Sequence, residues 1–231
     1  MQKRLIRKLD LEMLLSKIEQ HPSPKPSLEQ YTIPADVAAT MLYIAAYTYN
    51  NIIDKTVLDL GCGTGRLALG AAFLGATRIT GVDIDKTAVR TAFKNSKKIG
   101  LSNKVQWVVA DIDAIHGKFD TVLQNPPFGV QKRKADRKFL KKALEVGDSI
   151  YSLHKSSQNG KAFIKKLKAS GTNAVPVPPS PFVKRFIEEH NGRINAVYAM
   201  LMTIPYMFSF HTKRKHEFVV DLHVIEKSEK A

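Results

Sequence analysis

The sequence predicts an α/β domain: a mostly parallel sheet with helices on both faces, ending in an antiparallel pair. Three observations predict it. Five short runs rich in Val, Ile, Leu and aromatics fall between residues 56 and 155, and segments of helical spacing separate the first three. A turn with three alternating glycines joins the first run to the helix after it. Near the end, two long apolar runs flank a basic tip, the pattern of an antiparallel hairpin.

In chain order, "MQKRLIRKLDLEMLLSKIEQ" (1 to 20) reads as a helix. Leu5, Leu9 and the stretch Leu11 to Leu15 make one apolar side, and Lys3, Arg4, Arg7 and Lys8 lie elsewhere. A helix packed on the domain with solvated charges is preferred here to one that binds RNA or a membrane. "HPSPKP" (21 to 26) is a stiff link in which no regular helix persists. A second helix runs from Ala35 to about Tyr49, opened near Pro34. The strands are "TVLDL" (56 to 60), "RITGVDI" (78 to 84), "KVQWVVAD" (104 to 111), "FDTVLQN" (119 to 125) and "SIYSLHK" (149 to 155). "VPVPPSP" (175 to 181) reads as a connecting loop, and "AMLMTIPYMFSF" and "HEFVVDLHVIE" as the hairpin around "HTKRKH". At 231 residues a single domain over 1 to 231 is expected, with 1 to 50 as a helical extension and 51 to 231 as the core.

Lys and Arg number 36 against 21 Asp and Glu, a formal charge of +15. That excess makes nucleic acid the leading partner, because a polyphosphate rewards clustered cations through counterion release. An anionic membrane surface is the lesser alternative. No apolar run approaches the ~18 residues that would span a bilayer, and the amino-terminal stretch does not read as a signal peptide. A single cysteine, Cys62, excludes an internal disulfide or a Cys-rich zinc site and fits a reducing cytoplasm. The protein is expected to be soluble and cytoplasmic, with no metal site.

"DLGCGTGRLALG" places Gly61, Gly63 and Gly65 ahead of a helix. Glycines in such a turn let the backbone approach a ligand, and the helix start supplies amide donors. The dinucleotide fingerprint wants a third glycine one place later, where this chain has Arg66. Asp59 adds a carboxylate for an ammonium group, Asp83 ends the second strand where an acid can take both hydroxyls of a ribose, and Asp111 ends the third, where it or the backbone of Ile112 can meet an adenine edge. Together they suggest a nucleoside with a charged amino acid tail. With "DLGCGTG", "GVDID" and "VVADID" in order, residues 52 to 226 resemble the class I S-adenosylmethionine-dependent methyltransferases. The resemblance implies a Rossmann-like, seven-stranded sheet whose last strand is antiparallel.

The fourth strand runs into Asn125-Pro126-Pro127-Phe128. The lone pair of a planar amine is delocalised, and two acceptors aimed at its hydrogens free that pair for an incoming methyl. The Asn125 side-chain oxygen and the Pro126 carbonyl can do this, Pro127 fixes the backbone, and Phe128 can stack on the base. No general base is required, and a covalent cysteine mechanism is disfavoured because Cys62 belongs to the glycine loop. The motif fits adenine N6, guanine N2, DNA adenine or protein glutamine; a non-catalytic RNA-binding subunit is the alternative of another class.

"LEQYTIPADVAATMLY" (28 to 43), "QNPPFG", "YSLHKSS" (151 to 157) and "FHTKRKHEFVVDLHVI" (210 to 225) closely resemble the methyltransferase-like-five family, archaeal members included. That resemblance implies methylation of N6 of an adenosine in small-subunit ribosomal RNA, and a heterodimer with a small zinc-binding methyltransferase-activator protein. It implies cofactor contacts at Gln30, Tyr31, Thr32, Asp59, Gly61, Gly63, Thr64, Gly65, Arg66, Asp83, Asp111, Ile112 and Asn125, with target chemistry at Asn125 to Phe128. Tyr31-Thr32-Ile33 stands where the family has Tyr-Pro-Thr, and Thr64 where it often has cysteine. The stretch near 171 to 195 is inserted relative to eukaryotic members. For RNA phosphates the candidates are Lys132, Arg133, Lys134, Arg137 and Lys138 after the target motif, His154 and Lys155 at the end of the next strand, and Lys213, Arg214 and Lys215 in the tip. The third strand is expected at a sheet edge, open to strand addition by the partner. Trp107 on it serves either as an interface anchor or as packing under a helix.

Overall fold

The computed structural model describes residues 5–128, 135–205 and 215–228. It opens with helix α1 (Lys8–Ser16) and, after the proline-rich link, helix α2 (Ala35–Tyr43), which continues as a π-helical turn over Ile44–Thr48. Strands and helices then alternate: β1 (Thr56–Leu60), α3 (Arg66–Leu74), β2 (Arg78–Asp83), α4 (Lys86–Lys98), β3 (Val105–Val109), β4 (Phe119–Gln124), α5 (Ala135–Val146) and β5 (Gly147–Lys155). Next come α6 (Lys161–Ala169), β6 (Val175–Pro176), α7 (Pro181–Glu189), β7 (Gly192–Pro205) and β8 (Lys215–Lys227).

The strands form one sheet in the order β3-β2-β1-β4-β5-β8-β7-β6. The first five are mutually parallel, while β8 is antiparallel to β5, β7 to β8 and β6 to β7. The sheet therefore has eight strands where seven were expected. The extra one is β6, two residues of the stretch read as a loop, and its Pro176 sits on an edge strand, where a missing N–H costs no ladder bond. The stretch near 171 to 195 is packed structure, since Ile187 of α7 is fully buried against α5 and β7 begins at Gly192, ahead of the expected Ala199.

Because the side-chain period of a strand is two, each central strand feeds two apolar layers. Val57 and Leu123 face α1, α2 and α3, whereas Leu58, Leu60 and Val122 face α5 and α7. Gly70 lets α1, α2 and α3 close up: a Cβ there would lie 2.3 Å from Leu42 and 3.2 Å from Leu15. One expectation for α1 fails. Leu11 and Leu15 are buried, but Leu5, Leu9 and Met13 are exposed, because Leu9 and Leu11 stand about 200° apart around a helix and cannot share a side. Between β2 and β4, strand β1 marks the point where chain order reverses, and its carboxyl end opens on a cleft of about 290 Å³.

Candidate active site

At the floor of the cleft the glycine turn is bent as its sequence demands. Gly61, Gly63 and Gly65 take φ of 76°, 52° and 88°, and Gly65 caps α3. The two acids below it hold this turn. Asp59, fully buried, accepts the Ala68 N–H at 2.8 Å in the first turn of α3. Asp83 accepts from Gly63 N at 2.8 Å and from Asp85 N at 2.9 Å. Burial pushes the Asp59 carboxyl up to about 7 despite the Ala68 N–H, with Asp83 adding to the rise. Burial also raises Asp83, against its two backbone donors. Each carboxylate keeps unused lone pairs and lines the cleft, where a ligand cation and paired hydroxyls would meet them. Burial likewise drives the Cys62 thiol well up, which leaves it a poor nucleophile.

One wall of the cleft is the extension that precedes the core. Gln30, Tyr31 and Thr32 line it, together with His21, which sequence reasoning passed over. The Gln30 amide donates to Asp85 at 3.0 Å, and its oxygen accepts from Lys25 N. Burial works against the Asp85 charge, but Gln30, the Thr87 N–H and Lys25 hold that carboxyl down at about 2. Arg66 borders the cleft, yet its guanidinium donates to the carbonyls of Ile33 and Ile18 and so ties the extension to α3 rather than pointing at a ligand. Asn95, missed in the sequence, makes a second tie by joining Glu19 N and O to the carbonyl of Thr64 in the glycine turn.

Asp111 and Ile112 lie on the opposite wall. Asp111 accepts from Asp113 N and pairs with Lys138 at 2.8 Å, and Lys138 also reaches Asp113 at 2.9 Å. Lys138 is thus already charge-balanced, a correction to its reading as a phosphate-ready cation. Asn125 follows β4 into the cleft. Its Oδ1 is buried and, among the described residues, has no hydrogen-bond partner. Pro127 lines the cleft beside it, Pro126 is buried behind, and the half-buried ring of Phe128 rests edge-on against Phe218 at 5.9 Å. The Phe128 N–H is held by Glu29 at 2.7 Å.

His154 is a second correction, because it is buried and meets no rim. Register places it against Asp221 of β8, so the strand it seemed to end is covered. Its Nε2 lies 2.7 Å from Ser152 Oγ, which accepts from Gln124 at 2.8 Å, and its ring meets His223 at 5.1 Å. Burial drives His154 down to about 4 and His223 to about 3, so both are neutral. Lys155 is exposed one residue on, Arg137 stacks over Phe182 of α7 at 4.4 Å, and Lys215 opens β8. Lys132, Arg133, Lys134, Lys213 and Arg214 lie outside the described residues.

Strand β3 does form a sheet edge. Trp107, however, points inward: its ring fills the gap left by Gly65 and Gly81, where a Cβ would lie 2.4 and 2.5 Å from it. Packing beneath the glycine turn is its role, and Gln106 and Val109 are what the edge exposes. Among the described residues no cluster of His, Cys, Asp or Glu could hold a metal, and no helix is long and apolar enough to cross a membrane.

Residues 35–165 match the methyltransferase small domain family. The chain is 38% identical to the rRNA N(6)-adenosine-methyltransferase Mettl5 of Drosophila melanogaster over 91% of its own length and 92% of the relative's. It is also 38% identical to an uncharacterised protein of Methanocaldococcus jannaschii, covering 96% and 95% of the two chains. A crystal structure from Pyrococcus horikoshii, described as a candidate RNA methyltransferase, superposes with a TM-score of 0.81 at 32% identity, covering 98% of this chain and 100% of that one. These matches run through the glycine turn, the acids and the Asn-Pro-Pro-Phe turn alike, and the chain belongs to the methyltransferase-like-five family of S-adenosylmethionine-dependent methyltransferases.

Proposed function

We propose that the chain methylates N6 of an adenosine in small-subunit ribosomal RNA. The observation that carries this reading is the buried Oδ1 of Asn125, which lines the cofactor cleft and has no partner among the described residues. A buried acceptor left without a donor costs about 1 to 3 kcal/mol, a cost that the hydrogens of a target amine would remove. Bound in the cleft, S-adenosylmethionine supplies a methyl group on a cationic sulfur. Everything else is positioning by the chain. Asp59 would hold the ammonium, Asp83 the ribose hydroxyls, and Asp111 or the backbone of Ile112 the adenine edge. Asn125 Oδ1 and the Pro126 carbonyl accept the two amine hydrogens, and Phe128, braced by Phe218, stacks on the base for about 1 to 3 kcal/mol. After transfer the extra proton leaves to solvent.

RNA as the substrate is supported by the charge of +15. Arg137 over Phe182 adds a cation–aromatic pair whose stack a neighbouring base can extend. The name of the Drosophila melanogaster relative favours adenosine N6 over guanine N2, DNA adenine or protein glutamine. A small zinc-binding activator protein is the proposed partner, adding a strand to the free edge of β3 in the cytoplasm, with Gln106 and Val109 rather than Trp107 as its side-chain contacts. Coexpression followed by gel filtration tests the pairing, and two separate peaks at micromolar concentration would count against it. For the substrate, the protein is incubated with labelled cofactor and unmodified small subunits, and the label is partitioned between RNA and protein. Label in the RNA fraction supports the proposal; label in ribosomal protein overturns it.

A further inference from the structure

Glu29 joins the two halves of the site. It lies in the extension, lines the cleft together with Gln30 to Ile33, and is buried. Its backbone is left-handed, with φ 49° and ψ 42°, a conformation a non-glycine residue keeps only where its surroundings fix it. The Tyr31 N–H donates to its carbonyl at 2.7 Å, which ties that bend to the cofactor-facing segment. Its carboxylate Oε2 accepts the N–H of Phe128, ninety-nine residues away, at 2.7 Å. Prolines 126 and 127 have no N–H, so Phe128 carries the first backbone donor after Asn125 by which the target turn can be held.

We propose that Glu29 is a positioning residue that couples cofactor binding to the geometry of the target turn. As residues 30 to 33 close on the cofactor they fix the Glu29 carboxylate. The carboxylate fixes Phe128 and, through the stiff Pro126-Pro127 pair, the direction of Asn125 Oδ1. By linkage, cofactor and methyl acceptor each tighten the binding of the other through this one hydrogen bond. The inference rests on Asn125 to Phe128 being the turn that receives the acceptor.

The test is hydrogen exchange of the Phe128 amide in the full chain, with and without S-adenosylhomocysteine, for wild type, Glu29→Ala and Glu29→Gln. A proteolytic peptide running from Asn125 to Phe128 carries a single backbone amide, that of Phe128, and so reads that group alone. In the wild type, S-adenosylhomocysteine is expected to slow exchange about tenfold. Glu29→Ala speeds it roughly 10- to 100-fold, the range expected for losing a hydrogen bond to an ionised acceptor, and abolishes the ligand effect. Glu29→Gln, whose amide oxygen can accept the same N–H, keeps most of the protection. In methyl transfer, Glu29→Ala lowers kcat at least tenfold and raises KM for the cofactor at saturating acceptor, because the coupling is lost, and Glu29→Gln restores kcat to within about fivefold of wild type. Phe128 exchange that ignores S-adenosylhomocysteine in the wild type overturns the proposal, even where the alanine variant does not fold. So does a ligand effect that survives Glu29→Ala. The exchange readout needs no acceptor, so a failed adenosine assignment shows separately, as label outside RNA with the exchange pattern intact.

Discussion

Two buried polar regions lie in the same sheet, the acids of β1 and β2 and the histidines of β5 and β8, and burial shifts their titration in opposite directions. It raises Asp59 to about 7 and lowers His154 and His223 to about 4 and 3, so in each region the neutral form is favoured. The difference lies in access. Asp59 and Asp83 line the cleft and keep lone pairs for a ligand, whereas the histidines are sealed between strands, with His154 bonded to Ser152. The same desolvation therefore prepares one region for an incoming cation and gives the other only structure. A perturbed titratable group marks a functional site when something can reach it.

The comparison breaks first at Asn125, whose Oδ1 has no partner among the described residues. Asn125→Ala should lower methyl transfer by at least about 100-fold, as loss of an oriented oxyanion-hole donor does in other enzymes, while calorimetry shows cofactor affinity within a few-fold of wild type. Next is Asp83→Ala, which frees the N–H groups of Gly63 and Asp85 and removes the ribose acceptor. Cofactor affinity should fall roughly 10- to 100-fold, with the unfolding midpoint moving less.

Asp59 sets a pH dependence. Without ligand its carboxyl holds a proton up to about pH 7, and an ammonium group favours the ionised form, so binding must release that proton. Cofactor affinity should be flat above pH 7, fall as the pH drops through it, and be about tenfold weaker one unit below. Asp59→Asn should flatten the profile at a lower affinity. The histidines sharpen the contrast from the other side. Unfolded, each takes up a proton below about pH 6.5, and folded it resists until about pH 4 or 3. Their contribution to stability is thus whole above pH 6.5 and is lost as the pH falls from there toward 4, at up to about 1.4 kcal/mol per unit for each ring. Urea unfolding of His223→Asn between pH 6.5 and 4.5 should show a slope shallower by about that amount, with transfer at pH 7.5 little altered.

Much of this molecule was legible in its sequence because the signals were local. Short runs rich in Val, Ile, Leu and aromatics marked β1 to β5 to within a residue or two, and alternating glycines marked the turn whose positive φ they supply. What stayed hidden depends on partners far along the chain. Glu29 matters through Phe128, Asn95 through Glu19 and Thr64, and Arg66 through two carbonyls of the extension. Lys138 looked free because nothing nearby in sequence announces Asp111 and Asp113. His154 looked terminal because the strand that covers it lies some seventy residues later. Charge runs and strand ends mark where a residue stands along the chain, and only the tertiary partner decides whether it is free to act.

The central claim is that Asn125 and Pro126 present an adenosine amine to the methyl donor. Its most direct test is the identity of the methylated nucleoside when unmodified small-subunit RNA is treated with the protein and labelled cofactor, then digested completely. N6-methyladenosine as the labelled product, absent with Asn125→Ala, is the predicted result. Label in a guanosine, or N6-methyladenosine formed undiminished by Asn125→Ala, would contradict the account.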